Sequence, residues 1–141
     1  MNSRFLLDTD VLSEPLRPTP DPTILSRIEQ HQGTIATSSV TWHEMFFGAA
    51  ISKSVRKREL IEAYLREVVG PTVPIFSYDT PAAEVHAIER ARLSRLGKTP
   101  PFADGQIAAI ARVNGLVLVT RNVSDFRSFE ELDVEDWSRT G

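Results

Sequence analysis

Short apolar runs alternate along this chain with longer amphipathic stretches. Phe5-Leu6-Leu7 predicts a buried strand over 4–7. Pro15, Pro18, Pro20 and Pro22 then hold the chain to a loop with at most a short helical turn. Ile24 and Ile28, four apart and supported by Leu25, predict a helix over 23–31 with Gly33 near its C-cap. A second strand is expected over 34–37. Ser38 or Ser39 then caps a helix carrying Glu44, Phe47 and Ala50. A longer helix over 54–69 presents Ile61, Tyr64, Leu65 and Val68 inward and stops at Gly70-Pro71. A third strand covers 73–76.

The second half repeats this alternation. Asp79-Thr80-Pro81 reads as a capped helix start. The helix runs to about 96, with Val85, Ile88 and Leu96 inward, Glu89, Arg90, Arg92 and Arg95 outward, and Gly97 ending it. After the rigid loop Thr99-Pro100-Pro101, small residues predict a helix over 104–114 followed by Gly115. A fourth strand is expected over 116–120, and 132–137 is a candidate fifth strand or edge segment. Strands alternating with helices imply an α/β protein with a parallel sheet of four to five strands. With 141 residues and no linker or low-complexity segment, one domain over 1–141 is expected.

Composition narrows the chemistry. Hydrophobic content of 41% and charged content of 25% are those of an ordinary globular protein. The absence of cysteine excludes disulfides, zinc thiolates and a cysteine nucleophile. No run is long and apolar enough to span a membrane, and no signal pattern opens the chain, so a cytoplasmic location and no membrane partner are expected. The net charge is −3, so any nucleic-acid binding must come from local basic patches.

The acids supply a candidate site. In open α/β sheets, ligands bind outside the carboxyl ends of the strands. Asp8 follows the first strand, and Asp125 lies shortly after the fourth. Glu44 and Asp104 sit near helix starts, which in a parallel sheet lie at the same edge. Each has an ordinary explanation taken singly. Asp8 or Asp10 could cap a turn, Thr41-x-x-Glu44 fits a capping box, Asp104 suits a helix dipole, and Asp125 could fix a turn. Jointly, several carboxylates at one edge would repel unless a hard cation held them, and oxygen donors favour Mg²⁺ or Mn²⁺. His31, His43 and His86 share no ligand spacing and are expected at the surface or in packing.

Several stretches then resemble those of one known family. They are Leu6-Leu7-Asp8-Thr9-Asp10-Val11, Ser38-Ser39-Val40-Thr41-Trp42-His43-Glu44-Met45-Phe46-Phe47-Gly48, Pro101-Phe102-Ala103-Asp104-Gly105-Gln106-Ile107-Ala108-Ala109 and Val119-Thr120-Arg121-Asn122-Val123-Ser124-Asp125-Phe126, with Val134-Glu135-Asp136-Trp137 at the end. In this order they resemble a PIN-domain ribonuclease of the VapC toxin type. The resemblance implies a PIN-like α/β/α sandwich, a Mg²⁺-dependent (or Mn²⁺-dependent) endoribonuclease cleaving RNA, tRNA among relatives, a homodimer, and a cognate antitoxin joining it in a hetero-oligomer. It matches Asp8, Glu44 and Asp104 to the family's three principal acids, which would hold the metal. Some members place a fourth acid where this chain has Asn122, others at Asp125. Asp125 is favoured, with Asn122 as a polar neighbour. Asp10 stands where the family often has Asn and is read as an orienting group, with Thr9 and Thr120 adding hydroxyls around the acids.

Two other readings compete. Asp8-Thr9-Asp10 after a strand also resembles the nucleophile motif of haloacid-dehalogenase-type phosphatases, with Asp8 attacking phosphorus; no suitable lysine or adjacent late acids accompany it. The third reading is a non-catalytic binding module on a PIN scaffold. For contacts to RNA phosphates, the candidates are Arg121, the basic group Arg90, Arg92, Arg95 and Lys98, and the basic group Lys53, Arg56, Lys57 and Arg58, with Arg121, Arg92 and Arg95 favoured.

Overall fold

A computed structural model describes residues 2–138, so Met1 and residues 139–141 of the expected single domain lie outside the described residues. Five parallel strands form one sheet: β1 (Phe5–Leu7), β2 (Ile35–Ser38), β3 (Ile75–Phe76), β4 (Val117–Val119) and β5 (Val134–Glu135), in the order β3-β2-β1-β4-β5. The expected fifth strand is therefore present, at an edge beside β4.

Side chains of neighbouring strand residues point to opposite faces, and this builds two cores. Leu6, Ala36 and Leu118 face α6 (Thr80–Arg95) and α7 (Phe102–Val113), where Ala82, Leu93, Ile107 and Ile110 complete the packing. Phe5, Leu7, Ile35 and Val119 face the other layer. That layer comprises α1 (Thr9–Leu12), α2 (Pro22–Gln30), α3 (Ser39–Ile51), α4 (Val55–Ala63) and α5 (Gly70–Thr72). Helices on both sides of a parallel sheet make an α/β/α sandwich.

The sheet grows outward from β1 in both directions. Consecutive strands run β1, β2, β3 to one side, and the chain then crosses to β4 on the other. The carboxyl ends of β1 and β4 thus flank the point where the order reverses, the usual place for a crevice. Local chemistry sets the ends of the helices there. Asp79 caps α6 by accepting from Ala82 N at 3.1 Å. Ser38 caps α3 by accepting from Thr41 N at 3.0 Å. Gly115, at φ 65°, takes the left-handed turn that sends α7 back into β4.

Two amphipathic readings need correction. Gly70-Pro71 does not stop the helix that precedes it: Tyr64–Val69 is a π-helix, and the chain continues through α5 to Thr72. Proline is tolerated in a first turn. The wider π-turn brings Val69, rather than the expected Val68, onto the inner face beside Leu65. On α6 the inner face is Ala82, His86, Glu89 and Leu93, while Ile88 is 72% and Leu96 57% exposed. Reading only apolar residues rotated that helix, because two of its inward positions are polar groups with tertiary partners.

Candidate metal centre at the carboxyl edge

β1 ends in Asp8, which is 6% exposed. Its carboxylate caps α1, with Oδ1 accepting from Val11 N at 3.3 Å, so the ordinary capping role is real. Capping alone leaves its burial unexplained. Burial, then a side-chain hydrogen bond with Asp10 and the charge of Asp10, push the Asp8 carboxyl up to about 9, while Thr120 and the Val11 N–H pull the other way. Two carboxyls bond to each other only by sharing a proton. Asp10 Oδ2 accepts from Asn122 Nδ2 at 3.0 Å, and its Oδ1 is buried without a hydrogen-bond partner. Thr120 supports the same corner, accepting from Asn122 N at 3.0 Å.

Glu44 reaches this corner from α3. With the cap at Ser38, Glu44 lies too far along the helix to close a capping box, whose acid belongs at the third helical position. Its Oε1 instead accepts from Thr9 Oγ1 at 2.7 Å, next to Asp8 in the chain. Asp104 arrives in the first turn of α7. A helix N-terminus favours an ionised acid, yet its carboxyl is held above the usual range by burial, then by Asp125 and Glu44. Asp125 sits in the short 3-10 turn Val123–Phe126, its N–H bonded to Asn122 O at 3.0 Å. Two interacting sets thus lie at this edge: Asp8 with Asp10, Thr120 and Asn122, and Glu44 with Thr9, Asp104 and Asp125, with Thr9 next to Asp8 in the chain.

Among the described residues, no lysine or arginine forms an ion pair with Asp8, Asp10, Glu44, Asp104 or Asp125. Nor do three or more acids or histidines stand close enough to one another to hold a metal ion as they are placed. Asp8 is buried with its carboxyl raised, Asp104 is half-buried with its carboxyl raised, one Asp10 oxygen is buried without a hydrogen-bond partner, and the side chains gathered here are carboxylates, hydroxyls and an amide. Oxygen donors of this kind suit a hard divalent ion.

The basic candidates are placed differently. Arg121 follows Thr120, and its Nη1 donates to Glu14 Oε1 at 3.0 Å. Glu14, 1% exposed, also pairs with Arg17 Nε at 3.1 Å and accepts from Asp21 N at 2.8 Å, tying the proline-rich loop to the end of β4. No local signal in the sequence links Glu14 to a partner 107 residues away. Arg92 is not a free phosphate contact. Its Nε and Nη2 donate to Glu89 Oε1 and Oε2 at 2.8 and 2.9 Å, and Nη2 also to Ser128 O at 2.7 Å. Glu89 in turn feels Arg112, two turns of α7 and about 12 Å beyond Asp104, so Arg92 and Arg95 belong to a region remote from the acids. The histidines are in packing or at the surface: His31 stacks on Trp137, His43 is exposed against Phe47, and His86 is buried beside Tyr78.

Comparison with known proteins identifies the family and the fold. The family model described as PIN domain matches residues 5–132. The tRNA(fMet)-specific endonuclease VapC of Shigella flexneri is 32% identical over 96% of this chain and 98% of that protein. The DNA-bound VapBC structure from Salmonella typhimurium superposes with a TM-score of 0.82 at 29% identity, over 96% of this chain and 98% of that one. A Mycobacterium tuberculosis structure, VapBC-5 of the VapBC family of toxin-antitoxin systems, gives a TM-score of 0.68 at 26% identity, over 96% and 98%. No helix among the described residues is long and apolar enough to cross a membrane.

Proposed function

The chain belongs to the PIN domain family, and from that membership we propose that it is a divalent-metal-dependent endoribonuclease, the toxin of a VapC-type pair, acting as one domain over 1–141. The acid cluster at the switch point carries the reading, because five carboxylates share it with no basic partner among the described residues. Asp8, Asp104 and Glu44 are the ligands we assign to Mg²⁺ or Mn²⁺. When bound there, the ion supplies polarisation of a phosphodiester and a water of lowered pKa. The protein's own groups prepare that corner. Thr9 fixes the Glu44 carboxylate. Asn122 and Thr120 orient Asp10 and Asp8, and Asp125 adds negative charge beside Asp104.

The substrate we assign is RNA, of the tRNA class by extension from the Shigella relative's name. Arg121, with its side chain 37% exposed, is the phosphate contact nearest the acids, while Arg92 and Arg95 are released from that role. The partner is an antitoxin that covers the exposed apolar group Phe47, Ile51, Val55 and Leu60 on α3 and α4 and places a basic side chain among the acids. Self-association is assigned to the outer face of α6. Glu84, Ile88, Ala91 and Arg95 share that exposed face. Antiparallel pairing of two copies would set Glu84 against Arg95 and Ile88 against Ala91. The phosphatase alternative is not favoured: Thr37 Oγ1 is committed to Leu7 O and Ser38 to the α3 cap, so neither serves a phosphorylated Asp8.

The test is hydrolysis of a tRNA pool and of a phosphomonoester by purified protein, each with Mg²⁺ and with EDTA. RNA cleavage that EDTA abolishes, with no phosphomonoesterase activity, is expected. Phosphomonoester turnover without RNA cleavage would replace this reading.

A further inference from the structure

Helices α6 and α7 meet at a glycine. Gly105 is buried one residue past Asp104, and the His86 ring rests against it. A Cβ added at Gly105 would lie 2.7 Å from His86 Cδ2 and closer still to Nε2. Side chains do not approach so closely, so glycine is here for proximity. Interior helical glycine costs about 1 kcal/mol relative to alanine, a cost that a simple packing contact would avoid with an apolar pair.

His86 is fixed from its other side. It is 3% exposed, its Nδ1 lies 2.7 Å from Tyr78 Oη, and its ring meets Phe102 edge-on with centroids 4.7 Å apart. Burial, with the charge of Arg90, holds the imidazole below its usual pKa. Tyr78 is anchored in turn, its backbone N–H donating to Ser39 Oγ at 3.3 Å. Ser39 is the first residue of α3 and Phe102 the first of α7. A continuous line, Ser39 to Tyr78 to His86 to Gly105, therefore connects the starts of the two helices that bring Glu44 and Asp104 to the cluster.

We propose that His86 is a positioning residue of the acid site: it is the spacer that sets how closely the first turn of α7 approaches, and so where the Asp104 carboxylate stands relative to Asp8 and Glu44. His86 touches none of the acids and acts through Gly105 and Phe102. The inference rests on the metal-site reading above, and its signature is cation affinity decoupled from stability.

The experiment measures Mn²⁺ affinity by the electron paramagnetic resonance signal of free Mn²⁺, with melting temperature recorded alongside. Native protein, Gly105→Ala, His86→Ala and the double variant are compared. Gly105→Ala is expected to lose at least tenfold in affinity, because the methyl forces ring or helix to move. His86→Ala loses severalfold while remaining folded. The double variant gives the new methyl the room vacated by the ring and recovers to within about threefold of native, although its melting temperature stays below native. Native affinity in a folded Gly105→Ala, or no recovery in the double variant, overturns the proposal. Should Gly105→Ala not fold, His86→Ala decides, and native affinity in it overturns the proposal equally. Native protein that binds no Mn²⁺ would sink the metal reading and this inference together; native binding with unresponsive variants would sink only this one.

Discussion

Replacing Asp8 with Asn should make the metal-free protein more stable. The Asp8 carboxyl is pushed up to about 9 in the fold, burial being the largest cause and Asp10 the next. Unfolded, it titrates near 3.8. Below that value both states hold the proton and Asp8 costs nothing. As pH rises, the unfolded chain ionises while the fold keeps its proton, so stability falls, and the fall levels off only near pH 9. The slope limit is about 1.4 kcal/mol per pH unit. Over the roughly three units from 3.8 to 7 this caps the penalty at about 4 kcal/mol, and proton sharing with Asp10 and local relaxation reduce it to about 1–2 kcal/mol. Asn removes the charge and keeps the geometry: its oxygen can still accept from Val11 N, its amide can donate toward Asp10, and Asn is as good a cap as Asp. In EDTA at pH 7, Asp8→Asn should therefore melt about 3–8 °C above native. The gap should close at pH 4, and Mg²⁺ should raise the native melting temperature far more than the variant's. Parallel melting profiles of native and variant from pH 4 to 9 would refute the argument that Asp8 is a strained, cation-seeking carboxylate.

Three further outcomes follow from the same contacts. Glu44→Gln should lose RNA cleavage by at least a hundredfold with its melting temperature within about 2 °C of native, since Gln can still accept from Thr9; near-native cleavage would return Glu44 to a structural role. Arg92→Ala should lower the melting temperature by stranding buried Glu89, while leaving RNA affinity and its salt slope unchanged. Because Glu89 is held below its usual pKa, chiefly by Arg92, its contribution is present above about pH 4.5 and fades as pH falls, so the Arg92→Ala defect should shrink in acid, which melting curves would detect. Finally, Ile88→Asp should give monomers in sedimentation velocity, and Arg95→Glu weaker dimers that adding Glu84→Arg restores; a single species in every variant would move self-association to another face.

The readable parts of this protein were those encoded locally. Asp79-Thr80-Pro81 announced the start of α6, Gly115 the turn into β4, and Phe5-Leu6-Leu7 the central strand. The placement of Asp8, Glu44 and Asp104 at one edge was legible because a parallel sheet puts strand ends and helix starts there. What failed was whatever depended on distant partners. Glu89 and Arg92 looked like an exposed helix face because the backbone that covers them, Ser128 to Glu130, lies far along the chain. The pairing of Arg121 with Glu14 was not legible because the two lie 107 residues apart. Thr41-x-x-Glu44 also matches a capping box, but the cap falls at Ser38, one of the two serines expected there and three residues earlier than the box needs. Val68 yielded its inward place to Val69 because nothing in Tyr64–Val69 advertises a π-turn.

The most direct test of the central claim is single-turnover cleavage of a tRNA pool in saturating Mg²⁺ by native protein and by folded Asp8→Asn. The variant, though at least as stable as native in the absence of metal, should cleave at least a thousandfold more slowly. Cleavage within tenfold of native would mean that the buried carboxylate at the end of β1 is not part of a catalytic metal centre.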